Sequence, residues 1–76
     1  MGLAKVIAKI NELFSSTKLS TLSIEDERAL LRMAASEFNG AYRRGEISDT
    51  PAFYLDADES GRMIVVVEGN PAGGHA

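Results

Sequence analysis

After Pro51 the spacing of apolar side chains changes from three and four residues to two, and this change divides the chain. Ala52-Phe53-Tyr54-Leu55-Asp56-Ala57 alternates, with Phe53 and Leu55 on one face. Arg62-Met63-Ile64-Val65-Val66-Val67-Glu68 is a β-branched run that puts Met63, Val65 and Val67 on one side and Ile64 and Val66 on the other. Asp58-Glu59-Ser60-Gly61 between them has the composition of a tight turn. The pattern predicts an antiparallel hairpin. Its second strand is apolar on both sides, the signature of a strand covered on both faces. A lone hairpin has two open edges and is not stable unaided, so the rest of the chain must cover it.

Before Pro51 the period is helical. Leu3, Val6, Ile7, Ile10, Leu13 and Phe14 form a stripe about 120° wide opposite Lys5, Lys9 and Glu12, which predicts an amphipathic helix over residues 2–14. Alone it is too short to persist in water, so the stripe must pack on something. Ser15 to Thr21 is rich in hydroxyl side chains that compete for backbone hydrogen bonds, and reads as a linker. Its length would also allow the first helix to exchange with a neighbouring subunit.

Ser23 opens a second helix over residues 24–44. Its hydroxyl can accept from the Asp26 amide and Asp26 can reach back, a capping box with Asp in place of Glu. Glu25, Asp26 and Glu27 sit at the positive end of the helix dipole, and Arg43 and Arg44 at the negative end. Gly45 supplies a left-handed cap. Ile24, Leu30, Leu31, Ala34, Ala35, Phe38, Ala41 and Tyr42 cover about 140° of this helix, enough to meet two neighbours instead of one. Asn39-Gly40 is its weak point, because glycine costs about 1 kcal/mol inside a helix; Tyr42 returns to the apolar face, so the helix is read as continuous.

The expected fold is therefore a single α+β domain of type ααββ over residues 1–68, followed by a flexible tail, 69–76. A chain of 76 residues without cysteine has a small core and no disulfide or thiolate metal site to support it. Self-association is the remaining support. Two helices can cover one sheet face but not also Ile64 and Val66, so these two are expected at a homo-oligomer interface, with a second subunit pairing edge strands or stacking face to face.

A net charge of −3 gives no general attraction for nucleic acid, and no helix-turn-helix spacing is visible. No apolar run is long enough to span a membrane, and the start resembles no secretory signal. A cytoplasmic protein is expected.

Catalysis is not expected either. The single histidine, His75, falls in the glycine-rich tail, where nothing holds it against a partner group. Asp56-Ala57-Asp58-Glu59-Ser60-Gly61 matches the first half of an EF-hand calcium loop, but its twelfth position is Val67 where a bidentate Glu is required. A hairpin turn with acidic caps accounts for it, and no metal or other cofactor is expected.

The polar face of the second helix is the other candidate. Arg28, Arg32, Ser36, Asn39 and Arg43 project within about 80° of one another, a candidate cradle for a phosphate or an acidic partner, with Tyr42 and Tyr54 as candidate stacking surfaces. These residues lead to two expectations. One is a small homo-oligomeric inhibitor or adaptor acting on a larger protein through the hairpin or the arginine face; short cysteine-free chains are frequent among bacterial and phage accessory proteins, including those that block host defences, which is a base rate and not a property of these residues. The other is an oligomeric sponge for a small anionic ligand such as a nucleotide.

Overall fold

The structure is a computed structural model and describes residues 2–68. It is an α+β domain in which helices α1 (Leu3–Leu13) and α2 (Ile24–Arg43) precede strands β1 (Phe53–Ala57) and β2 (Met63–Val67). A single 3-10 turn, Leu19–Thr21, lies between the helices. The tail expected from Gly69, and His75 within it, lie outside the described residues.

In α1 the residues spaced by four, Val6, Ile10 and Phe14, are buried, with Leu3 and Ile7 packed beside them. Leu13, expected on the same stripe, is 50% exposed. It stands about 60° from the centre of the buried row, at the stripe's margin and in the last turn.

α2 begins where the cap predicts. The Asp26 amide donates to Ser23 Oγ at 3.1 Å. The return bond of the expected capping box is not formed among the described residues; Asp is one methylene shorter than the Glu that usually makes it. At the other end the Gly45 amide donates to the Tyr42 carbonyl and the Glu46 amide to that of Ala41, the paired bonds of a Schellman motif. Gly45 has φ +78°, which a side chain would disfavour. The helix runs unbroken through Gly40.

The strands pair antiparallel, with Phe53 opposite Val67, Leu55 opposite Val65 and Ala57 opposite Met63. Those six side chains face the helices. Met63, Val65 and Val67 join Val6, Ile10, Phe14, Ala34, Phe38, Ala41 and Ile47 in one core. α1 lies against β2, while α2 reaches β1 through Phe38, whose ring centroid is 5.2 Å from that of Phe53. Both helices cover one face of the sheet, as two amphipathic helices on a hairpin must.

The reading of Ser15 to Thr21 as a plain linker is corrected. The residues read as a linker close the outer edge of β2: the Met63 amide donates to the Thr17 carbonyl at 2.9 Å, and the Leu19 amide to that of Gly61 at 3.3 Å. Lys18 and Arg62 form a bridge between these segments. The next outward amide, Val65, donates to Asn11 Oδ1 at 2.8 Å. A polar side chain on α1 thus stands in for a third strand.

β1 has no such cover. Bonds from Glu68 to Ala52 and from Asp58 to Arg62 fix which residues exchange ladder bonds, so the amides of Phe53, Leu55 and Ala57 point away from β2. Asp56 Oδ1 accepts from the Ala57 amide at 2.8 Å. Among the described residues the Phe53 and Leu55 amides meet no acceptor. The outer edge of β2 is covered from Met63 to Val65, while that of β1 is open along Phe53 and Leu55.

Candidate functional site

The arginines stand where the helical wheel places them. Arg28, Arg32, Ser36, Asn39 and Arg43 are exposed on the side of α2 opposite its buried residues Ala34, Phe38 and Ala41. Arg32, Ser36, Asn39 and Arg43 line a shallow depression of about 410 Å³ with Ala35 and Gly40; Arg28 stands outside it, one turn away. Among the described residues none of the three arginines is within ion-pair distance of a carboxylate, and the ion pairs that form are Lys9–Glu37, Arg44–Glu46 and Arg62–Asp58.

The two tyrosines are not brought together. Tyr42, 50% exposed, flanks the arginine face on α2. Tyr54, 43% exposed, projects from the opposite side of the sheet and shares no surface with the arginines.

That outer sheet face is a second candidate. Tyr54 lies opposite Val66, and Asp56 opposite Ile64. Ile64 and Val66 are only partly buried, and no described element lies over them. Tyr54, Ile64 and Val66 therefore make a small apolar patch. Asp56 and Glu68 border it, while Asp58 and Arg62 face each other at the turn end, 4.0 Å apart. The border is acidic.

The turn is organised around Asp58. Its Oδ1 accepts from the Ser60 hydroxyl at 2.7 Å and from the Ser60 and Arg62 amides at 2.9 Å each. The Ser60 hydroxyl bond above all, with the two amides and Arg62 adding to it, holds the Asp58 carboxyl below the usual range. Gly61, at φ +86°, completes the reversal. This is an Asx-type turn, and the acidic residues of the half EF-hand pattern serve it. Among the described residues no group of three or more His, Asp or Glu side chains is placed to hold a metal ion.

At the C-terminal end of α2, Arg44 Nε donates to Glu46 Oε2 at 2.8 Å and its Nη2 to Oε1 at 3.3 Å. The bidentate pair lowers the Glu46 carboxyl and raises the Arg44 guanidinium. With Lys5, Lys9 and Glu37 it lines a groove of about 380 Å³ between the helices, in which charges of both signs face one another.

Asn11 is the residue that sequence reasoning misses. It interrupts no pattern, and only the position of β2 shows its use. Among the described residues no helix is long and apolar enough to cross a membrane. No protein-family model matches this chain, and no curated protein and no solved structure does.

Proposed function

We propose that this chain is a small, non-catalytic, homo-oligomeric binding protein, an inhibitor or adaptor that occupies the surface of a larger protein with the outer face of its hairpin. The observation that carries the reading is the Tyr54, Ile64 and Val66 patch, apolar side chains turned to solvent on the sheet face the helices leave bare. Tyrosine is enriched among the residues that anchor protein interfaces, and Ile64 and Val66 widen the apolar area beside it. The acidic border of Asp56 and Glu68 suits a partner whose apolar centre is ringed by basic side chains. A cytoplasmic accessory protein of bacterial or phage type fits this mode of action.

The test is capture of a partner by the tagged protein and by Tyr54→Asp. Tyr54→Asp that folds like the parent and loses the partner is the expected result. Capture that survives Tyr54→Asp overturns the reading.

A second reading, an oligomeric sponge for a small anionic ligand such as a nucleotide, has one observation in its favour. Arg32 and Arg43 share a depression with Ser36 and Asn39, and no carboxylate neutralises them. Native mass spectrometry of protein purified gently from cells tests it. A nucleotide-sized adduct that disappears in Arg32→Ala supports the sponge, and a bare protein removes it.

A further inference from the structure

The broad apolar stripe of α2 finds only one of its two neighbours within the chain. Ala34, Phe38 and Ala41 are buried, but Ile24 is 69% exposed, Tyr42 is 50% exposed, and Leu31 and Ala35 are only partly covered. At about 100° per residue these four fall on a single flank about 40° wide. Its direction is fixed by two contacts. Glu37, paired with Lys9, marks the α1 side of α2, and Phe38, packed on Phe53, marks the β1 side. The Ile24, Leu31, Ala35 and Tyr42 flank lies beyond Phe38, facing away from α1. It is on the side of the molecule where β1 is open.

We infer that a second copy of this chain occupies that side. Two β1 strands pair antiparallel into a four-stranded sheet and the two α2 helices pack against each other above it. The inference rests on the homo-oligomeric part of the reading above and assigns the interface.

Three features fit a two-fold axis through Leu55. First, a pairing centred on Leu55 uses the outward amides of Phe53 and Leu55, which meet no acceptor, and that of Ala57, which would exchange its Asp56 bond for one across the axis, whereas on β2 the outward amides of Met63 and Val65 are already taken. Second, the axis meets α2 at its middle. The hairpin base shares a depression with Gly2 and residues 46–51, past the end of α2, whereas Gly61 in its turn bonds Leu19, just before the start of α2. β1 thus runs antiparallel to α2. Two residues of strand from Phe53 to Leu55 cover about 6.6 Å, equal to about four residues of helix from Phe38 back to Ala34. Ala35 is then the flank residue at the axis, small enough for two helices to approach closely.

Third, the charges agree. Antiparallel α2 helices bring the acidic first turn of each copy toward the end of the other that carries Arg43. Across the new strand pair Asp56 lies opposite the second copy's Tyr54, and no like charges face each other. The outer patches of Tyr54, Ile64 and Val66 stay uncovered and double in extent, so the partner-binding face remains available.

The chain has no cysteine, so a single introduced thiol reports on proximity without interference. Leu55→Cys, mildly oxidised, is expected to give a disulfide-linked dimer in high yield, because residues paired across the axis have Cα atoms about 5.5 Å apart. Ile64→Cys on the outer face is expected to stay reduced. Ala35→Glu, exposed enough to fold, is expected to turn a dimeric parent into a monomer by sedimentation equilibrium. A cross-link through Ile64→Cys but not Leu55→Cys means face-to-face stacking and overturns the inference, as does a monomeric parent. Where Leu55→Cys fails to fold, a dimer that survives Ala35→Glu overturns it alone. Loss of partner capture in Val66→Lys tests the broader reading separately, since Val66 lies on the outer face of β2 and takes no part in the new strand pair.

Discussion

The Asn11 side chain accepts the Val65 amide at 2.8 Å across a gap that no strand fills. Together with the Thr17 carbonyl on Met63, it occupies the outward amides of β2 as far as Val65. The hairpin is thereby asymmetric, and the asymmetry decides on which side another chain can add.

Replacing Asn11 by Ala leaves a partly buried amide without its acceptor. The expected loss is about 1–2 kcal/mol, read from urea unfolding, with faster hydrogen exchange at Val65 than at neighbouring amides of the same strand. Unchanged stability would mean that water serves the amide equally well.

Gly40 and Gly45 respond oppositely to alanine. Gly40 is helical and a Cβ there would meet only the Arg44 guanidinium, 3.1 Å away, the far end of an exposed side chain that need shift only a few tenths of an ångström and can do so with its Glu46 pair, so Gly40→Ala is expected to stabilise by about 0.5–1 kcal/mol. Gly45 has open space around it but φ +78°, so Gly45→Ala is expected to destabilise by about 1 kcal/mol through backbone strain alone. Thermal unfolding of the two variants beside the parent checks both signs.

Much of this was legible from the residue pattern, because it depends on local chemistry. Ser23 and Gly45 bracket α2, and the alternation of Met63, Val65 and Val67 picks the buried sheet face. The closure of β2 was not legible. Thr17 and Leu19 act through backbone groups that every residue carries, and Asn11 acts through a partner 54 positions away. Leu13 was misplaced because a stripe's margin is decided by what packs beside it. For the candidate surfaces, the wheel placed the arginines together, but only the sheet's orientation separates Tyr54 from them.

Acid is expected to weaken the domain through Asp58 and Glu46. Both carboxyls are held below their ordinary values in the folded chain, so their contribution is complete above the unfolded value and is lost as pH falls through the lower, folded one. Asp58→Asn keeps an acceptor oxygen for the turn while removing the titration. Melting temperatures followed from near pH 7 to about pH 2 are expected to fall less steeply in Asp58→Asn than in the parent. Equal slopes would assign the acid sensitivity elsewhere.

In the inferred dimer, β1 is open in a single copy and closed by the second. Hydrogen exchange at the Phe53 and Leu55 amides, followed by NMR at high and low protein concentration, tests it most directly. Protection at high concentration approaching that of Tyr54, whose amide bonds within the hairpin, and loss of that protection on dilution are expected. Fast exchange at every concentration, or protection indifferent to dilution, would contradict it.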